Sequence, residues 1–173
     1  MSTAAGELHI LLIEDSRADA KIIERALREG SVPHRLTIVT DGRQALDYLH
    51  GLLQDGTEPD RTPDLILLDL NLPGIDGHQV LARIKTDSRL RVLPVVVLTT
   101  SCREEDVLQT YQAGANTYIA KPAEFARYRE LVMTLRAYWL DTALRAPRLP
   151  AQARNRPEDL GTAPRGSKDS SSA

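Results

Sequence analysis

The chain has 173 residues, 42% of them hydrophobic and 27% charged, with a formal net charge of -2. These proportions suit one globular domain of roughly 100–150 residues with some chain to spare, and exclude a collagen-like, wholly disordered or disulfide-scaffold protein. Lys+Arg (22) nearly balance Asp+Glu (24), which leaves no basic field for nucleic acid or an anionic membrane, and a single cysteine, Cys102, excludes an internal disulfide or a paired-thiol metal site.

Residues 1–7 read as an N-terminal extension. The start, MSTAAGELHILLIED, has no basic n-region and its apolar run breaks at Glu14 and Asp15, so it is not a signal peptide. No apolar stretch approaches the ~18–20 residues that span a bilayer, and a cytoplasmic protein is expected. The first strand is predicted at LHILLI (8–13); Ile22, Ile23, Ala26 and Leu27 then share a helical face that Gly30 ends. RLTIVT (35–40) follows, then a helix with Ala45, Leu46, Leu49, Leu52 and Leu53 on one side, the strand DLILLD (64–69), and a helix carrying Val80, Leu81 and Ile84. PVVVLT (94–99) is the fourth strand; Ser101-Cys102-Arg103-Glu104 has the form of a capping box opening a helix that Gly114 stops. NTYIA (116–120) is the fifth strand, and the last helix is predicted from Ala123 to Leu144. Three of the runs are apolar almost throughout, as in parallel strands covered on both faces. Five strands alternating with five helices predict an α/β protein with a doubly wound parallel sheet over residues 8–145. Residues 146–173, with four prolines, no aromatic residue and a serine-rich end, read as a disordered tail.

A doubly wound sheet places its crevice at the carboxyl ends of the strands. There the sequence puts Glu14-Asp15, Asp69, Thr99-Thr100 and Lys121-Pro122. Each has an ordinary explanation: an acidic pair caps a helix, Asp69 opens the turn Asn71-Leu72-Pro73-Gly74, threonine favours strands, and lysine favours solvent. Together they do not, because three clustered carboxylates repel one another until a cation relieves them. An all-oxygen cluster of this kind suits Mg²⁺.

These residues carry a resemblance. Glu14-Asp15, Asp69 within DLNLPGIDG (69–77), Thr99 within VVVLTTS (95–101), Tyr118 and Lys121-Pro122 resemble the receiver domain of two-component response regulators, and the intervals of 30 residues from Asp69 to Thr99 and 22 from Thr99 to Lys121 agree with that family. The resemblance implies a flavodoxin-like sheet with strand order 2-1-3-4-5 and five helices. It further implies phosphorylation of Asp69 by a sensor histidine kinase. Mg²⁺ would be held by Glu14, Asp15, Asp69 and the backbone carbonyl of Asn71, Lys121 and Thr99 would meet the phosphoryl oxygens, Thr99 and Tyr118 would form the switch, and the bond before Pro122 would be cis. Such a protein is a signalling phosphoacceptor with self-phosphorylation and autodephosphorylation chemistry, not an enzyme in the usual sense, and signals by protein–protein contact. Three departures stand out: Glu14 where many receivers have aspartate, a long connection at 50–64, and Thr100 where a smaller residue is common. The LTTS strand end, that long connection and Tyr-Trp-Leu (138–140) are similar more narrowly to single-domain regulators paired with bacterial phytochrome kinases.

Two other readings compete. A Mg²⁺-dependent phosphatase with Asp69 as nucleophile would need an acid two residues on, where Asn71 stands. An unphosphorylated receiver-like scaffold usually lacks the acidic pair, the aspartate or the lysine, and all are present here. The last helix carries apolar residues beyond one stripe, which predicts a homodimer through Phe125, Tyr128, Val132, Leu135 and Trp139. Neither nucleic acid nor membrane is expected as a partner.

Overall fold

The computed structural model describes residues 6–54 and 61–145. The expected tail (146–173), most of the N-terminal extension and the middle of the 50–64 connection lie outside the described residues. The strands are β1 (Leu8–Ile13), β2 (His34–Val39), β3 (Leu65–Leu68), β4 (Val95–Thr99) and β5 (Thr117–Ala120), and the helices α1 (Arg17–Glu29), α2 (Gly42–Gly51), α3 (Gly77–Thr86), α4 (Glu104–Gln112) and α5 (Phe125–Trp139). All strand pairs are parallel, in the order β2-β1-β3-β4-β5.

The continuous apolar runs are explained by two cores, one on each face, with successive side chains pointing to opposite sides. Leu11, Ile13, Ile66, Leu68, Val95 and Val97 pack with Leu46 and Leu49 of α2 and Val80, Leu81 and Ile84 of α3. Leu8, Ile10, Leu12, Leu65, Leu67, Val96 and Leu98 pack with Ile23, Ala26 and Leu27 of α1 and Tyr128, Val132 and Leu135 of α5. Each fully buried Leu, Ile or Val in these cores contributes about 1.5–3 kcal/mol. Ser16, Asp41 and Asp76 cap the first three helices by accepting the amides of Asp19, Gln44 and Gln79.

α4 departs from this pattern. Its buried residues are Asp106 and Thr110, while Leu108 and Tyr111 are exposed. The expected capping box does not form: the helix begins at Glu104 with Arg103 as an N-cap that makes no side-chain bond. The Ser101 hydroxyl donates instead to Asp106 Oδ2, and Arg103 Nε and Nη2 donate to the same carboxylate at 3.0 and 3.1 Å. A buried carboxylate one turn into the helix competes for the serine more strongly than an orphan amide does.

α5 is shorter than expected, ending at Trp139, and Leu144 lies outside it, 97% exposed. The proposed dimer residues also need correction. Tyr128, Val132 and Leu135 are buried within this chain, and Phe125 and Trp139 are half-buried against the same core, so this face packs on α1 and the sheet. Arg25 of α1 stacks its guanidinium 4.2 Å from the centre of the Phe125 ring. Beyond the helix, Arg145 donates to Asp64 Oδ2 at 2.9 Å and to Glu7 O at 3.3 Å, fastening the chain across the amino-terminal end of the sheet.

Candidate functional site

The register of the sheet brings the polar strand ends together. Backbone bonds Glu14 N to Val39 O (3.0 Å), Asp69 N to Ile13 O (3.0 Å) and Lys121 N to Thr99 O (2.8 Å) carry the ladder one residue past the strands and fix each side chain at the carboxyl edge. Gly77 sets Asp69 from behind: its amide donates to Leu70 O at 2.9 Å, and a Cβ there would stand 2.2 Å from Asp69 O, so only glycine lets the start of α3 approach this closely.

Carboxylate oxygens of Glu14, Asp15 and Asp69 all lie within 4.8 Å of one another, with Glu14 and Asp69 buried and Asp15 exposed. Lys121 Nζ sits among them, 2.7 Å from Glu14 Oε2 and 2.7 Å from Asp69 Oδ2, and 2.7 Å from a further carboxylate, Asp19 Oδ2. Burial alone would lower the Lys121 pKa, but the hydrogen bonds to Asp19, Asp69 and Glu14 outweigh it and hold the ammonium above its ordinary value. Burial raises the Glu14 carboxyl, with Lys121 opposing the shift. One ammonium cannot neutralise this many carboxylates, and the remaining donors are oxygens in a compact group. That donor set fits a hard divalent cation that takes oxygen ligands.

Asn71 organises the other side. Its amide N–H donates to Asp69 Oδ1 at 3.1 Å, and its side-chain Nδ2 donates to Thr99 Oγ1 at 3.3 Å and Thr100 Oγ1 at 3.4 Å. Thr99 is fully buried, and since its oxygen accepts from Asn71 its own proton is left to donate elsewhere. Tyr118 is half-buried beside the strand ends, and its hydroxyl donates to Ser101 O at 3.0 Å, tying it to the loop that follows Thr99. Every described peptide bond is trans, including the one before Pro122, which corrects the expectation of a cis bond there; Lys121 reaches its carboxylates from a trans linkage.

The structure thus gathers Glu14, Asp15, Asp69, Asn71, Thr99 and Lys121 at one edge, with Tyr118 one strand away. Sequence reasoning missed Asp19, whose place in the first turn of α1 looks like ordinary dipole matching. It also missed the Asp106 cluster with Ser101, Arg103 and, at 3.8 Å, His78 of α3. A cavity of about 510 Å³ opens between α1 and the β5–α5 connection, lined by Lys121 with Asp19, Thr100 and Phe125, while the Lys121 side chain itself stays buried.

Over residues 10–133 the sequence matches the family described as the response regulator receiver domain. It is 41% identical to response regulator Rcp1 of Synechocystis sp. (strain ATCC 27184 / PCC 6803 / Kazusa) over 133 residues, covering 77% of this chain and 89% of that protein. It is 43% identical over 131 residues to the probable methanogenesis regulatory protein FilR2 of Methanothrix harundinacea (strain 6Ac), covering 76% and 83%. Among solved structures it is similar to the phosphorylated cyanobacterial phytochrome response regulator RcpA, with a TM-score of 0.71, 42% identity and coverage of 81% of this chain and 99% of that one. The Mn²⁺-bound form of Rcp1 gives a TM-score of 0.70 and 40% identity, covering 80% and 99%.

Proposed function

This chain belongs to the response regulator receiver family, and from that premise we propose that Asp69 is its phosphoacceptor, loaded by a sensor histidine kinase of the phytochrome class. One observation carries the reading: Asp69 is buried, bonded by Lys121 Nζ at 2.7 Å, and within 4.8 Å of two further carboxylates that have no other reason to crowd together. In the reaction an Asp69 carboxylate oxygen attacks phosphorus, the phosphorus–nitrogen bond to the kinase histidine breaks, and the imidazole keeps the electron pair and takes up a proton. An acyl phosphate remains on Asp69. Nucleophile and phosphoryl group are both anionic, so the barrier falls mainly through positioning and charge. A bound Mg²⁺ supplies positive charge for that encounter, with Glu14, Asp15, Asp69 and the backbone carbonyl of Asn71 as its holders. Lys121 adds an ammonium already in contact with the attacking carboxylate, and Thr99 adds a hydroxyl donor. Thr99 turning toward the phosphoryl group releases Asn71, and Tyr118, joined to the same loop through Ser101, follows the change.

The phosphatase alternative is weakened by Asn71, whose amide is spent on the two threonines and which has no acid to give. The scaffold alternative is weakened by the retention of both acids, the aspartate and the lysine. Residues 8–145 are proposed as the receiver unit, since Arg145 still bonds to Asp64 and Glu7. Among the described residues no helix is long and apolar enough to cross a membrane.

RcpA supports a phytochrome partner for this chain, while the comparably similar FilR2 bears a different role in its name. The test is phosphotransfer from a panel of purified kinases, with acetyl phosphate as a kinase-free donor. Labelling should require Asp69 and be abolished by EDTA, and a phytochrome kinase should transfer faster than the others. Labelling of Asp69→Asn would refute the site, and indifference among kinases would refute the pairing.

A further inference from the structure

Asp19 is the third partner of Lys121, and the local chain path frees it for that role. It is the third residue of α1, where an acidic side chain commonly reaches back to the amide of the N-cap residue. Here that amide, Ser16 N–H, is already taken by Glu14 Oε1 at 3.1 Å, while Ser16 Oγ accepts from Asp19 N at 3.2 Å. The Asp19 backbone is therefore pinned, and its carboxylate turns to Lys121 Nζ at 2.7 Å. It lines the cavity beside the ammonium together with Thr100.

The three partners of Lys121 are not equivalent. Lys121 Nζ donates to Asp19 and Asp69, and it lies 2.7 Å from an oxygen of Glu14 as an ion pair. Glu14 and Asp69 also belong to the compact acidic trio, so the lysine competes with a divalent cation for their oxygens; Asp19 lies outside that trio. On phosphorylation Asp69 changes from a carboxylate into an acyl phosphate, and Lys121 must exchange a carboxylate oxygen for a phosphoryl oxygen without leaving the site. Only Asp19 is free of both duties.

We propose that Asp19 is a positioning residue for phosphoryl transfer. It anchors the Lys121 ammonium through that exchange, and its negative charge draws the lysine away from the carboxylates that ligate metal. The inference rests on the reading of Asp69 as phosphoacceptor.

The test uses the full chain with Asp19→Asn, which keeps the shape and removes the charge, and Asp19→Glu, which keeps the charge and displaces it. Calorimetric titration with Mg²⁺ on unphosphorylated protein should show affinity weakened by about three- to tenfold in Asp19→Asn and largely restored in Asp19→Glu. At saturating Mg²⁺, labelling by acetyl phosphate should slow by about tenfold in both variants, because the ammonium is misplaced in each. A purely structural helix-start role would move neither quantity. Wild-type Mg²⁺ affinity in Asp19→Asn, or a wild-type saturated rate in it, overturns the proposal. Asp69→Asn runs in parallel: labelling there would sink the phosphoacceptor reading itself, independently of Asp19.

Discussion

Replacing Lys121 by methionine keeps the aliphatic stem and deletes the ammonium that sits among the acidic strand ends. The side chains of Lys121, Glu14 and Asp69 are 4%, 1% and 5% exposed, so the carboxylates left behind have little water to turn to. Removing one partner of a buried ion pair costs about 3–5 kcal/mol, which for a domain of this size lowers Tm by roughly 10–15 °C. The pH dependence is the sharper signature. Burial already raises the Glu14 pKa and Lys121 restrains it, so the variant raises it further. Folded Lys121→Met then keeps a proton that the unfolded chain releases near pH ~4. The folded state binds more protons across that window, so stability falls as pH rises, by up to about 1.4 kcal/mol per unit for one proton, until the raised value is passed. The wild-type lysine behaves differently. Its pKa is raised on folding, so its contribution is complete below the ordinary lysine value and is lost only in strong alkali. Thermal unfolding followed by circular dichroism in EDTA, at pH values from 5 to 8, should show a deficit that is largest at the alkaline end and shrinks toward pH 5. Saturating Mg²⁺ should recover part of it, about 2.7 kcal/mol at one hundred times Kd. A variant as stable as wild type at pH 7, or a deficit independent of pH, would refute the argument.

Gly77→Ala introduces a Cβ 2.2 Å from Asp69 O and 2.5 Å from Leu70 Cα, both backbone atoms that cannot swing aside. We expect a loss of about 1–3 kcal/mol in urea unfolding and at least about tenfold slower acetyl phosphate labelling as Asp69 is displaced; a wild-type rate would show that α3 yields and Asp69 does not. Tyr118→Phe removes the 3.0 Å bond to Ser101 O and should lower stability by about 0.5–1.5 kcal/mol. Labelling should survive that change, and an unaltered urea midpoint would mean the tyrosine does not hold the loop.

The parallel strands were legible because a strand buried on both faces has no polar alternation to obscure it; Ile10 and Leu11 point into opposite cores, yet both are apolar. The edge strand β2 was read one residue late, since only its end at Val39 is buried and its other residues carry a weaker signal. The strand-end residues were legible as a set because topology, not local propensity, decides what converges there. α5 misled because Tyr128 and Leu131 read as apolar surplus beside the face of Phe125, Val132, Leu135 and Trp139. In the fold that face meets α1 as well as the sheet and is wide enough to take them. Asp19 was illegible for a different reason. An acid in the first turn of a helix satisfies a local rule, and nothing in its neighbours announces a partner 102 positions away. Ser101 satisfied a local rule too, and a buried carboxylate five residues on overrode it.

The polar inward face of α4 has a consequence for how the molecule opens. A helix that buries Asp106 and Thr110 while Leu108 and much of the Tyr111 ring stay exposed gains little from the hydrophobic effect. Its polar links to other elements are directional: the Tyr111 hydroxyl accepts from Tyr118 N–H at 3.2 Å, and Asp106 Oδ1 lies 3.8 Å from His78 Nε2; contacts of that sort are lost within a small displacement. Its amides should therefore exchange with solvent by local opening, far below the global unfolding free energy, whereas those of β1, β3 and β4 must wait for the whole sheet to come apart. The loop joining Thr99 to α4 thus borders a helix that opens locally, so a rearrangement there is expected to leave β1, β3 and β4 and the cores around them in place.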